Sequence, residues 1–412
     1  MHAYLMEFGN LLLRWLHVVA AIAWIGESIY FVMLDNSLHP PRGEESKKRG
    51  VFGEMWAVHG GGFYHNQKYL TNPAELPDDL HWSFWKAYTT WLSGFALFAV
   101  LYLVKPSFYL VNTGSDWAWA AALTGWQASV IAVLFLVVGW VVYDQLCRRV
   151  SPNMENDGVL SIAVAVMMVV VAYLSSHIFQ GRAAFLITGA VMATSMSANV
   201  FFWIIPGQHR MVNALKSGQT PNPLDGKRGK QRSVHNTYFT LPVVFLMLSN
   251  HYSFTFSSPY AWIIMSLFIF SGAAIRQYFV LRHLGQNKLV YPVVGIVLLI
   301  VIAWLAAPAA PTAPAPAAQT AAGGTATATT QATSTKQALE IFHARCIQCH
   351  SAKPSQPGFA SAPAGIMLDT EQEALAHPAL IKQVVASKYM PLGNMTHMTD
   401  AERASIAAWA GK

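Results

Sequence analysis

The run VLSIAVAVMMVVVAYLSSHI, residues 159–178, decides the fold. It contains no Asp, Glu, Lys or Arg, and a helix of about 20 apolar residues is what a ~30 Å hydrocarbon core requires. Seven further segments of this kind lie near 10–34, 84–104, 117–146, 183–206, 237–254, 259–281 and 290–307. The segment 237–254 is the weakest, because it is short and holds Pro242, Asn250 and His251. The chain is 54% hydrophobic and only 11% charged, against about 25% charged in soluble domains. The expected fold is therefore all-α: a polytopic membrane helix bundle of about eight transmembrane helices over residues 1–307.

The loops give an orientation. Connections 36–83, 147–158, 208–235 and 282–289 carry fifteen Lys and Arg, while the opposite connections carry only Lys105 and Arg182. Basic loops stay cytoplasmic, so the net charge of +7 is assigned to membrane topology, not to a nucleic-acid partner. With eight spans, both termini then lie outside the cytoplasm. The first nine residues lack a basic n-region, so the first apolar run is expected to be a retained span and not a cleaved signal peptide. The lipid bilayer is the first partner this composition implies.

Residues 308–335 hold almost only Ala, Pro, Thr, Gly and Gln with no charge. Such a segment cannot bury enough apolar surface to fold, and as a flexible coil it would span on the order of 30 Å. It is expected to tether a last domain, 336–412.

That domain carries Cys346-Ile347-Gln348-Cys349-His350. Two thiols at this spacing add across the vinyl groups of a haem, and the next residue brings an imidazole to the iron. A redox dithiol does not need the histidine. A zinc site would need a second cysteine pair, and the remaining cysteine, Cys147, stands alone. Thr335–Arg345 is expected to form a helix that delivers the motif. Thr399-Asp400-Ala401-Glu402 is a capping box opening a final helix with Ile406 and Trp409. This is the plan of a small class I-type cytochrome c with one covalent haem c. His350 is one axial ligand of its iron. Met390, followed by Pro391, is the choice for the other, with Met395 and Met398 as rivals.

Ionisable residues inside spans are costly and few. Arg14 and His17 share one face of the first span, His177 ends the fourth, Arg182 follows it, and His251 lies in the outer part of the sixth. By helix rise these groups converge on one leaflet, beneath the haem domain. One reading is a non-covalent haem b in the membrane, with histidines on the iron and arginines near the propionates. The other is separate helix-end histidines, each bonded to a backbone carbonyl. A second cluster, His59-Gly60-Gly61-Gly62-Phe63-Tyr64-His65, lies in the first cytoplasmic loop, with Trp56, Lys68 and His81 nearby. It reads either as a loop holding an anionic heteroaromatic substrate or as an interfacial turn with aromatic anchors.

Several segments together resemble one family. They are Asn10-Leu-Leu-Leu-Arg14-Trp-Leu-His17, Ile22-Ala-Trp-Ile-Gly26, Tyr30-Phe31, Leu34-Asp-Asn-Ser-Leu38 and the His59–Tyr64 loop. They are similar to the membrane-bound urate hydroxylase (PuuD) family, and the likeness covers nearly the whole chain. The resemblance implies a bacterial inner-membrane oxidoreductase of purine degradation that converts urate to 5-hydroxyisourate. It also implies that electrons leave through the fused cytochrome, in the periplasm, to a downstream cytochrome c or terminal oxidase, without forming peroxide. No catalytic residue carries over from it. Entry of urate from the cytoplasm favours His59, His65 and Arg210, whereas the histidine level favours the outer side. Two other classes fit the spans and the haem: a quinol-oxidising respiratory subunit, and a membrane-anchored electron carrier.

Overall fold

Each of the eight apolar segments is helical in the computed structural model. It describes residues 2–70, 73, 75–307, 335–356, 362–386, 388–394 and 396–410. The helices are α1 His2–Asn36, α2 Trp85–Phe98, α3 Gly125–Val150, α4 Asp157–Ile178, α5 Gly181–Ala198, α6 Pro223–Leu248, α7 Ala261–His283 and α8 Val290–Leu305. Among the described residues, five stretches are long and apolar enough to cross a membrane: Leu5–Asn36, Gly125–Val150, Asp157–Ile178, Gly181–Lys216 and Ala261–His283. The other three fall short of that measure for different reasons. α2 has 14 residues before it passes into a π turn, Ala99–Leu103. α6 begins well before residue 237, so its first turns carry Asp225, Lys227, Arg228, Lys230 and Arg232. α8 has 16 residues, which at 1.5 Å each is about 24 Å.

Local sequence explains the ends. Thr124 and Gln127 close a capping box at the start of α3, and Arg148 and Arg149 occupy its last turn, where the helix dipole favours positive charge. α5 runs through a π turn, Asn199–Ile204, into a further helix Ile205–Lys216. π turns are uncommon and cluster at functional positions.

The core is centred on α5, whose Phe185, Ile187, Val191 and Met192 are fully buried. Small residues let its neighbours come close. A Cβ at Gly139 would stand 2.6 Å from Val191, and one at Gly189 would stand 2.9 Å from Leu246. In lipid such close packing, not water exclusion, holds helices together. The outer faces agree with that setting: Ile162, Val166 and Val170 on α4, and Val293, Val297 and Ile300 on α8, are exposed. The periodic apolar faces are turned outward, as in a membrane protein.

One polar network is buried between α3, α6 and the π turn after α5. Arg232 donates to Asp144 at 2.8 Å, and Trp203 Nε1 donates to the same carboxylate at 2.7 Å. Asp144 is 4% exposed and Arg232 2%. Removing one partner of a buried pair leaves the other charge uncompensated. Asp144→Ala is therefore expected to lower unfolding stability by about 3–5 kcal/mol, read as a fall in the thermal midpoint in detergent. Replacing both, as Asp144→Leu with Arg232→Met, is expected to recover most of that loss.

The all-α expectation needs one correction. The first loop folds as a two-stranded antiparallel hairpin, β1 Gly53–His59 with β2 Gly62–Lys68, pairing Trp56 with His65 and His59 with Gly62. Gly60 and Gly61 have φ of 60° and 82°, the conformation a two-residue turn demands and only glycine adopts freely. These glycines therefore make the turn.

The C-terminal unit contains α9 Thr335–Arg345, α10 Pro378–Ala386 and α11 Asp400–Trp409. α9 and α11 cross with Phe342 edge-on to Trp409, ring centroids 5.2 Å apart. The capping box is formed: the Thr399 hydroxyl accepts from the Glu402 N–H, and Glu402 also accepts from Arg345 at 3.0 Å. This unit touches the bundle through Tyr389, whose ring lies 5.3 Å from Phe256, and through contacts of Pro106–Tyr109 with Leu392–Asn394. Residues 308–334 of the expected tether, and Met395, lie outside the described residues.

Candidate functional site

Cys346, Cys349 and His350 occupy the turn that ends α9. The His350 N–H donates to the Cys346 carbonyl at 2.9 Å, continuing the helical path and bringing the thiols and the imidazole together. Both thiols are free and partly exposed. His350 Nδ1 donates to the Ile366 carbonyl at 2.9 Å, which leaves Nε2 as the atom available to a metal. Burial holds this imidazole below the ordinary histidine range, with the Ile366 bond opposing, so it stays neutral as a metal ligand must. These residues fit a covalently attached haem.

The methionines separate. Met398 is 3% exposed and packs in the apolar core with Ile406 and Trp409. Met390 is half-buried on the loop that follows α10. Its N–H donates to the Val384 carbonyl at 2.9 Å, and its own carbonyl accepts from Arg403 at 2.5 Å. Its backbone is pinned while its side chain stays outside the core. Tyr389, one residue earlier, is the contact with Phe256.

Beneath that contact the bundle encloses a cavity of about 340 Å³ lined by Arg14, His17, Trp91, Tyr102, Arg182 and His251. Two arginines and two histidines that the sequence placed at one depth thus share one space. His17 is positioned from α2: its Nδ1 lies 3.0 Å from the Thr90 carbonyl and 3.2 Å from the Ser93 hydroxyl. A Cβ at Gly94 would stand 2.8 Å from the His17 ring, so glycine makes room for the imidazole. Nδ1 donating to a carbonyl and Nε2 left over is the same arrangement as at His350. At the outer end, Asn250 Oδ1 accepts from Tyr102 at 3.2 Å and from Arg182 at 3.4 Å. The remaining wall is apolar, including Phe95, Phe98, Leu101 and Leu136. A mostly apolar cavity with two histidines and two arginines in its lining has the side chains that would hold a non-covalent haem. Among the described residues no three His, Cys, Asp or Glu side chains gather as a metal site. An iron held here would therefore need its equatorial ligands from the porphyrin.

His177 does not join this cavity. Its Nδ1 donates to the Tyr173 carbonyl at 2.8 Å, and its ring lies 4.9 Å from Trp117 and 4.2 Å from Tyr173. It belongs to the alternative reading, a helix-end histidine bonded to its own backbone. Helix rotation turned it away from a site whose depth it shares.

Of the three loop candidates for catalysis, His65 and Arg210 are engaged elsewhere. His65 stacks on Trp56 with centroids 4.2 Å apart, and its Nε2 lies 3.1 Å from Glu54. His59 lies at the exposed hairpin end. Arg210 makes a two-pronged ion pair with Asp225, at 3.1 and 2.6 Å. None of the three lines a cavity described here.

Sequence reasoning assigned no role to Glu27. In the fold it binds the Ser83 hydroxyl and Lys86, the latter at 3.0 Å. It also missed Trp24, which lines the outer cavity and an inner one. Partners more than fifty residues apart leave no local signal.

No curated protein and no solved structure matches this chain. A family model does: the one described as urate oxidase N-terminal matches residues 3–307, the whole stretch that builds α1 to α8 and both cavities. That membership makes the chain's chemistry urate-related and of the oxidoreductase class. The chain belongs to the urate oxidase N-terminal family.

Proposed function

We propose that this protein is a membrane-bound urate hydroxylase that oxidises urate to 5-hydroxyisourate and delivers the electrons to a respiratory acceptor through a c-type haem on residues 336–412. In this reading α1 to α8 all span the bacterial inner membrane, with the basic loops inside and both termini periplasmic. One observation carries it. In a urate oxidase family chain, the cavity holding His17 and His251 lies under the segment Tyr389-Met390, which follows α10 in the unit bearing Cys346 and Cys349.

The half-reaction sets the requirements. Urate plus water gives 5-hydroxyisourate, two protons and two electrons, so the electrons need a carrier and the protons need acceptors. A haem, when bound, takes up and passes on one electron at a time. The residues do the rest. Cys346 and Cys349 would hold haem c, with His350 and Met390 ligating its iron. His17 and His251 would hold a haem b, with Arg14 and Arg182 lining the same cavity to offset its negative charge. Thr90 and Ser93 engage His17 Nδ1, which would leave Nε2 for the iron. Asn250 holds the Arg182 guanidinium and the Tyr102 hydroxyl at the outer mouth. The Tyr389–Phe256 contact keeps the Met390 loop against that mouth.

Anaerobic addition of urate to membranes containing the full chain tests the reading. The α-band of the c-type haem is expected to rise, and to rise equally when quinol-site inhibitors are present. Prompt reduction by quinol with none by urate would move the protein to a respiratory electron-transfer subunit.

A further inference from the structure

Where α3 ends, the bundle opens a pocket of about 310 Å³. Arg148, Arg228 and Arg232 line it with Trp203, Ser151 and Gln231, and no Asp or Glu is among the described residues of its wall. Three elements bring these side chains together. The last turn of α3 supplies Arg148, the first turns of α6 supply Arg228, Gln231 and Arg232, and the π turn after α5 supplies Trp203. The Trp203 ring lies 4.7 Å from the Arg148 guanidinium and 5.0 Å from that of Arg232, which orients both.

The wall stays positive after its internal pairs are counted. Asp144, which does not line the pocket, meets Arg148 at 2.7 Å and Arg232 at 2.8 Å. Asp157, also outside the lining, accepts from Ser151 at 2.7 Å and from Gln231 at 2.6 Å. Three guanidinium groups against these two carboxylates leave one positive charge in excess. Arg228 carries it: the residue is half-buried, and among the described residues it has no hydrogen-bond or ion-pair partner. A half-buried cation beside two others is unfavourable until an anion joins it.

The surroundings say which anion. α3 is long and apolar enough to cross a membrane, and Arg148 stands in its last turn. That is the level at which a span leaves the hydrocarbon for the headgroups. On the same face of α3, Val141 and Val137 lie seven and eleven residues before Arg148 and are exposed. Beside Trp203, Phe201 and Phe202 are exposed too, and Phe202 stacks on Trp140 of α3 at 4.9 Å. A cationic pocket thus continues into an exposed apolar strip. A phospholipid has that form, a phosphodiester followed by acyl chains, whereas a small free anion would leave the strip unused.

We propose that this pocket binds the headgroup of an anionic phospholipid. Arg228 and Arg148 meet the phosphodiester, and the acyl chains run along Val141, Val137 and Phe202 toward the middle of α3. A zwitterionic lipid brings its own cation and gains less from the surplus charge. The bound lipid ties α3, α6 and the π turn together at this end of the bundle. The inference rests on the membrane setting of α3 and is independent of the substrate.

Native mass spectrometry of the purified full chain in detergent, titrated with phosphatidylglycerol, tests the site. Phosphatidylcholine and inorganic phosphate form separate arms. Phosphatidylglycerol is expected to bind about tenfold more tightly than phosphatidylcholine, and inorganic phosphate is expected not to displace it. Arg228→Gln removes the unpartnered charge at little risk to the fold and is expected to raise the Kd for phosphatidylglycerol about tenfold. Lys227→Gln removes an exposed charge on the same turn, outside the lining, and is expected to leave the Kd within about twofold. A Kd that both variants raise alike, or that neither raises, would overturn the pocket as the site. Displacement by inorganic phosphate, or equal binding of the two lipids by the parent chain, would overturn the anionic lipid as its occupant.

Discussion

In membranes carrying the Cys346→Ala/Cys349→Ala chain, urate is expected to leave the c-type α-band flat, and peroxidase staining on a denaturing gel to lose its band entirely. The effect is all-or-none, because two thioether bonds are the only covalent hold the motif offers. His350 remains, but a single imidazole on a small domain retains a porphyrin weakly. The C-terminal core is also small: nine buried apolar side chains among the described residues, including Phe342, Ile406 and Trp409. A domain of this size gains much of its stability from a bound group, so loss of attachment is expected to make it protease-sensitive as well. Cys147→Ala is the control. That thiol is 2% exposed, beside His235 of α6, and its loss should leave the stained band intact. A stained band persisting in the double variant would refute covalent attachment through these two residues.

His17→Ala is expected to abolish the absorbance of a non-covalent haem, measured as the acetone-extractable haem per chain, while leaving the covalent band. The argument is positional. Thr90 and Ser93 take Nδ1, and Gly94 clears the space beside the ring. Hydrogen-bond partners of this kind fix the tautomer and aim of a ligating imidazole, and losing the ligand itself costs more than losing them. His177→Ala separates this from a general effect of removing a histidine at that depth. His177 lies against Trp117 and Tyr173, outside the cavity, so its loss should leave the extractable haem unchanged. If His177→Ala removed the haem and His17→Ala did not, the site would have to be rebuilt around the other residue. If the parent chain held no extractable haem, the cavity would need another occupant.

The two expected results differ in how far the sequence reached them. The paired thiols and histidine lie within five consecutive residues, so the motif was legible before any fold was known. The spans were legible too, since hydropathy is summed along the chain. All eight apolar segments are helices, and five meet the length and hydropathy of a membrane crossing. Depth in the bilayer also follows from residue count, and it brought Arg14, His17, Arg182 and His251 to one level.

What the chain alone could not decide was rotation and long-range partnership. His177 shares the depth of His17, but the face a helix turns inward is set by its neighbours. Packing of α4 put that ring on Trp117. The glycines after His59 read equally as a ligand loop or a turn until strand pairing made them the turn of a hairpin. Glu27 meets Ser83 and Lys86, and Asp144 meets Arg232, only because distant helices close on each other. Hydropathy and motif spacing are local properties of the chain, and they determined the apolar helices and the C-x-x-C-H motif. The cavities, and the side chains that face into them, were decided by tertiary packing, because close contact between helices fixes rotation and no term local to the sequence does.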